Sequence, residues 1–190
     1  VQRITQFAIE AAKNRQKQIT SIDKANVLEC SQLWRQTVDS MMIKHSDIDL
    51  QHMYVDNAAM QIIKNPKQFD VILTPNLFGD ILSDAASMLT GSIGLLPSAS
   101  LSNDIGMFEP IHGSAPDIAG QGIVNPLAMI LSIAMMFEYT LDKPELSKII
   151  KKAVDEVLHD GYFTKDLSSK DFISTSEMGD KVLERIKKQC

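Results

Sequence analysis

Between Val1 and Leu89, short apolar runs take turns with longer segments whose apolar residues recur at helical spacing. A chain patterned strand, helix, strand, helix is driven toward an α/β architecture, because each helix carries the chain back to begin another strand. Residues 1–15 place Ile4, Phe7, Ala8, Ala11 and Ala12 on one helical face, and residues 18–23 read as a strand. A second helix is expected over 27–44, through Leu28, Leu33, Trp34, Val38, Met41 and Met42. Residues 50–55 alternate as a strand does and stop at Asp56-Asn57, and a short helix over 58–64 is closed by Asn65-Pro66. Residues 71–73 make a third strand before Pro75, and 77–89 a further helix.

At Gly91 the texture changes, which divides the chain into portions 1–91 and 92–190. Short strands are expected at 95–101 and 105–108, separated by Ser102-Asn103-Asp104, then a loop rich in Gly, Pro and Ala over 109–125. Three helices follow, over 126–139, 144–158 and 175–188. Asn125 is placed to cap the first of them, with Pro126 at its first position, and Ser174-Thr175-Ser176-Glu177 offers a similar start to the last. The fold class is therefore α/β, with mixed sheets flanked by helices in two domain portions. The first helix begins without a capping residue and the chain without methionine, so a piece of a longer polypeptide is expected.

Composition narrows the function. A net charge of -5 over 190 residues, with no basic stripe, argues against nucleic acid as a partner. Cys30 and Cys190 form no CxxC site and suit a reducing compartment. The most apolar stretch, 127–137, is about half of what a membrane span needs. With no signal peptide visible, a cytoplasmic protein without a membrane partner is expected.

Chemistry first shows at Asp80 and Asp84. Four residues apart, they share a helical face and repel unless a cation lies between them. Paired carboxylate oxygens suit Mg²⁺ or Mn²⁺; alone, the pair also fits a solvated stripe. Asp56, beyond the end of another strand, is a third candidate ligand, since sites in open α/β sheets collect beyond the carboxyl ends of strands. It fits equally as a cap for the helix over 58–64. Lys24 follows the strand over 18–23. It is either a surface charge, with Asp23 as a simple ion partner, or an amine whose pKa a nearby metal lowers until it accepts protons.

The loop over 109–122 lacks the GxGxxG fingerprint but combines small residues with His112 and Asp117. An aspartate can accept a ribose diol and repel a 2′-phosphate; an ordered surface turn with a capping aspartate is the plainer reading. His45, His52 and His159 lack metal spacing, and Trp34 reads as core or interface.

Several segments together resemble the β-hydroxyacid oxidative decarboxylases, the isocitrate/isopropylmalate dehydrogenase family. They are 21–28, Leu33-Trp34-Arg35, 53–58, 76–84, 91–101, 109–120 with Asn125-Pro126, and 174–180, and they run in the family's order over nearly all the chain. The resemblance implies that Lys24 is the catalytic lysine and that Asp56, Asp80 and Asp84 bind the metal, with Lys24 and Asp56 reaching the site of a neighbouring subunit in a homodimer. It puts His112, Gly113, Ser114, Ala115, Asp117 and Asn125 at nucleotide-binding positions, and Asn26 and Val27 near the nicotinamide and substrate. Asp117 is the type expected with NAD, where members using NADP carry Lys-Tyr. Portion 1–91 would belong to the central, dimerising domain and 92–190 to the nucleotide-binding domain.

The implied reaction is NAD-dependent oxidative decarboxylation of a small 2-hydroxy dicarboxylate. Segments 97–101 and 174–180 favour 3-isopropylmalate, a step of leucine biosynthesis, over homoisocitrate, tartrate or isocitrate. Family enzymes are nearly twice as long, and the part expected before Val1 would hold the substrate-gripping arginines, a tyrosine acid and the first strands of the sheet. An isolated 190-residue chain is therefore expected to be inactive. A non-catalytic assembly subunit is the other class, but it would be expected to have lost Lys24 or a metal aspartate, and all are retained.

Overall fold

The computed structural model describes residues 1–102 and 105–189; the expected turn residues Asn103 and Asp104, and Cys190, lie outside it. The chain forms two compact units, Val1–Leu89 and Thr90–Cys190.

In the first unit, α1 (Gln2–Lys13) leads into β1 (Gln18–Asp23), α2 (Glu29–Met42), β2 (Asp49–Tyr54), α3 (Val55–Lys64), β3 (Val71–Leu73) and α4 (Asn76–Thr90). The three strands form a parallel sheet in the order β2-β1-β3, with Asp23 opposite Tyr54 and Ser21 opposite both His52 and Leu73. β1 is central and buried on both faces, as parallel strands covered by helices are. Ala8, Ile9 and Ala12 of α1 and Trp34, Val38 and Met42 of α2 pack with Ile19 on one face. Ala58 and Ile62 of α3 and Leu82 of α4 pack with Ile22 on the other. Each fully buried Ile or Val here stabilises the unit by roughly 1.5–3 kcal/mol.

Two starts differ from the sequence expectation. α2 begins at Glu29 because residues 24–28 first close a turn, in which the Val27 and Leu28 amides both donate to the Lys24 carbonyl at 2.9 Å. α3 begins at Val55, so Asp56 lies inside the first turn and caps nothing; Tyr54 is the capping residue. A carboxylate in the first turn is favoured by the positive end of the helix, which lets the helix start directly from β2.

The second unit holds an antiparallel pair, β4 (Pro97–Leu101) and β5 (Gly106–Pro110), then α5 (Leu127–Tyr139), α6 (Pro144–His159) and α7 (Thr175–Gln189). β4 starts two residues later than expected, because Ile93–Leu95 forms a tight helical turn closed by Ser92, whose Oγ accepts from the Gly94 amide at 3.0 Å. Leu127, Ala153, Val154, Val157, Met178 and Val182 form the core of this unit. α7 opens on a reciprocal capping box: the Ser174 amide donates to Glu177 Oε2 at 2.8 Å and the Glu177 amide to Ser174 Oγ at 3.2 Å. Among the described residues no helix is long and apolar enough to cross a membrane.

Candidate active site

Side chains alternate across a strand, and along β1 that alternation sorts the chemistry. Asp23 is in phase with Ile19, toward α2, and Lys24, the next residue, leaves toward α3. The Lys24 ammonium donates to Oδ1 of Asp56 in the first turn of α3. This bond holds the Asp56 carboxyl below the usual carboxylate range.

Asp23 is therefore not the partner of Lys24. Its carboxylate is fully buried and belongs to Arg35 of α2, whose Nε donates to Oδ2 and whose Nη2 donates to Oδ1, each at 2.9 Å. The same Oδ1 accepts the Ala25 amide at 2.9 Å. This paired bonding raises the Arg35 pKa above its ordinary value. Tyr54 collects both cations: its ring centroid lies 5.2 Å from the Arg35 guanidinium carbon and 5.8 Å from Lys24 Nζ. His52 reaches Asp39 Oδ1 with Nε2 at 2.7 Å and has Nδ1 3.9 Å from Asp23 Oδ2. Neither the Asp23–Arg35 pair nor the approach of Tyr54 to both cations is legible in local sequence pattern. The available signal was Arg35, one residue past buried Trp34 on the helix facing β1.

Asp80 and Asp84 are exposed on α4. Asp80 Oδ2 accepts from Asn76 Nδ2 at 3.0 Å, and no ion pair forms with either acid among the described residues. Two unneutralised carboxylates on one helical face fit a hard divalent cation. Yet no group of three acid, His or Cys side chains able to hold a metal forms among the described residues of one chain. Asp56 is brought to Lys24 and is not gathered with Asp80 and Asp84. Asn26 and Val27 project from the turn after Lys24 and are exposed.

In the second unit, residues 113–117 are exposed and His112 is half-buried, with Nδ1 2.9 Å from the Gly113 carbonyl. Ala115 takes a left-handed backbone (φ 46°), a conformation that costs an L-residue roughly 1–2 kcal/mol, and it starts the turn Pro116–Ile118 that carries Asp117. Gln121 holds the Asp117 carbonyl at 2.8 Å, and the Asp117 carboxylate has no partner among the described residues. A Cβ on Gly113 would meet nothing within 4 Å, so the backbone there is open to close approach. Asn125 is buried, and its side chain is engaged at both ends. Oδ1 accepts the Leu127 amide at 2.9 Å and Nδ2 donates to Asp166 at 3.1 Å; α5 begins one residue later than expected, so that Pro126 is its capping residue and Asn125 lies just ahead of it.

The family model described as isocitrate/isopropylmalate dehydrogenase matches residues 1–182. The chain belongs to this family. Among relatives, the 3-isopropylmalate dehydrogenase of Prochlorococcus marinus (strain MIT 9312) is 58% identical over 98% of this chain and 53% of its own length. That of Wolinella succinogenes is 57% identical over 94% of this chain and 51% of its own length. Solved structures agree on the fold. The isocitrate dehydrogenase of Methylococcus capsulatus superposes with a TM-score of 0.91 at 40% identity, covering 97% of this chain and 55% of that one. A beta-decarboxylating dehydrogenase of Thermococcus kodakarensis gives 0.87 at 37% identity, covering 98% and 54%. The chain thus spans about half the length of the curated relatives it matches.

Proposed function

We propose that these residues form the metal- and cofactor-bearing portion of an NAD-dependent 3-isopropylmalate dehydrogenase, which converts 3-isopropylmalate and NAD⁺ to 4-methyl-2-oxopentanoate, CO₂ and NADH. The contact between Lys24 and Asp56 carries this reading, because it sets an amine beside a carboxylate suited to a metal. The choice of isopropylmalate over isocitrate is supported by relatives of that name at 57–58% identity, against 40% for the isocitrate enzyme.

Asp80 and Asp84 would hold Mg²⁺ or Mn²⁺ from one subunit, with Asp56 and Lys24 supplied by a second copy. Within one chain Asp56 is bonded to Lys24 rather than gathered with Asp80 and Asp84, an arrangement that sharing between copies accommodates. Such a cation would supply Lewis acidity toward the substrate, and NAD⁺ would supply the hydride acceptor. Lys24 would take the hydroxyl proton as hydride leaves the carbon that bears the hydroxyl, and the carbon that CO₂ leaves would be reprotonated by the tyrosine acid expected before Val1. The exposed turn after Lys24, with Asn26 and Val27, would contact the nicotinamide and substrate. In the second unit, His112, Gly113, Ser114, Ala115 and Asp117 bind the adenosine end, with Asp117 accepting the ribose diol. Asn125 completes that set by fixing the start of α5.

The test is NADH formation by the full-length enzyme with 3-isopropylmalate, homoisocitrate, tartrate and isocitrate in competition. Preference for 3-isopropylmalate, abolished by a chelator and by Asp80→Ala, is the expected result. Preference for another acid, or turnover indifferent to both treatments, overturns the reading.

A further inference from the structure

Three side chains of α2 grip the end of β1. Trp34 Nε1 donates to Ser21 Oγ at 3.1 Å, Arg35 binds Asp23, and Ser31 Oγ accepts the Lys24 amide at 3.2 Å. Both backbone amides flanking the Lys24 side chain are thereby held by side chains, that of Lys24 by Ser31 and that of Ala25 by Asp23. Ser31 and Arg35 are one helical turn apart and bind adjacent residues, Lys24 and Asp23. Arg35 also reaches across the sheet. Tyr54 lies opposite Asp23 in the ladder, and its ring stands within cation–π range of both Arg35 and Lys24.

We propose that Arg35 is a positioning residue for the Lys24 amine, acting through the Asp23 carboxylate and the Tyr54 ring. The inference rests on the dehydrogenase reading, in which Lys24 moves the proton. One planar fork meets two demands at once: two bonds fix the Asp23 carboxylate, and the guanidinium carbon lies 5.2 Å from the centroid of an aromatic ring. A lysine at this place offers a point charge that cannot meet both. Without the fork, the Asp23 carboxylate rotates, the Ala25 amide loses its fixed acceptor, and the Tyr54 ring loses one of its two cations. The Lys24 chain then samples several directions, and small misplacements of a reacting group are costly in rate.

The test uses the full-length enzyme with four variants: Lys24→Ala, Arg35→Lys, Tyr54→Leu, and the double variant Asp23→Asn with Arg35→Met. Wild-type turnover that Lys24→Ala abolishes establishes the underlying reading, and failure there is distinct from failure of the inference. Arg35→Lys is expected to lower kcat by about 10- to 100-fold, with KM for NAD within about twofold. Tyr54→Leu, a change at an exposed ring, is expected to lower kcat in the same direction. The double variant removes the buried ionic pair together, so its thermal midpoint should stay near that of wild type, while kcat remains low. Recovery of kcat along with stability in the double variant would show a merely structural pair and overturn the proposal. Unchanged kcat in Arg35→Lys and Tyr54→Leu would do the same.

Discussion

The Lys24 ammonium is bonded to the carboxylate of Asp56, a residue 32 positions further along the chain. The contact arises because β1 and β2 are parallel neighbours that end together, at Asp23 and Tyr54. One residue past β1 and two past β2, the chain places an amine and a carboxylate side by side. A parallel sheet brings such groups together at its carboxyl edge, and here that edge carries the proposed proton carrier and one proposed metal ligand.

Removing the amine should separate binding from chemistry. Lys24→Met in the full-length enzyme is expected to lower kcat by about 10²- to 10⁴-fold, with the metal-induced rise in thermal midpoint retained. Steady-state kinetics and thermal melts with and without Mg²⁺ check both halves. Loss of kcat together with the metal effect would mean that Lys24 acts by building the metal site.

Asp80→Ala and Asp84→Ala should each abolish stabilisation by Mg²⁺. A bound ligand at a hundredfold excess over its Kd stabilises a fold by about 2.7 kcal/mol, easily seen in a melt. With no ion pair to either acid among the described residues, neither change should lower stability in the absence of metal by more than about 0.5 kcal/mol. A variant that still responds fully to Mg²⁺ would remove that residue from the ligand set.

Asp70 gives the first unit an acid-sensitive joint. Its nearly inaccessible carboxylate accepts from Arg15 Nε at 2.7 Å and from the Gln16 amide at 2.9 Å. Burial pushes its pKa up, but the bonds from Arg15, Gln18 and Gln16 outweigh burial and leave it below the ordinary value. A depressed folded-state pKa means stability that is complete above the unfolded value, about 4, and lost as pH falls through the lower folded value. Asp70→Asn should cost about 1–3 kcal/mol at pH 7. The gap from wild type should close on acidification. Urea unfolding at pH 7 and pH 3 measures both, and a gap as wide at pH 3 as at pH 7 would contradict the assignment.

Gly94 is packed where no side chain fits. A Cβ there would come 2.8 Å from Asn125 Cβ and 3.1 Å from Asp166 Oδ2. Gly94→Ala should therefore cost about 1–3 kcal/mol through forced displacement. Asn125→Ala should cost about 0.5–1.5 kcal/mol through the lost bond to the Leu127 amide. Because both changes disturb Asn125, the double variant should lose less than the sum of the two single losses. Strict additivity in thermal melts would show that Gly94 is conserving space for something else.

The sequence carried the element order and the acids because both rest on local patterns. Apolar spacing named Ile19 and Ile22 as strand residues, and the four-residue interval put Asp80 and Asp84 on one face of α4. Pairing across elements was not legible in that way. Asp23 stood next to Lys24 in the chain and was a natural partner, yet strand alternation sends adjacent side chains to opposite faces. Asp23 went to Arg35 and Lys24 to Asp56, and only the register of β1 against β2 decides this. The alternative of Asp56 as a cap fails for a related reason, since α3 starts from β2 without a loop. The family resemblance named Asn125 for the cofactor, but its burial against Leu127 and Asp166 depends on the Thr164–Leu167 turn, more than 30 residues away.

The most direct test concerns the sharing of the site. Lys24→Ala and Asp80→Ala subunits, each inactive alone, are unfolded together and refolded as a full-length mixture. If Lys24 of one copy serves the Asp80 of another, half of the randomly assembled dimers carry one intact site, and about a quarter of wild-type NADH formation returns. A mixture as inactive as its parents would contradict the shared site and confine Lys24 and Asp80 to the same chain.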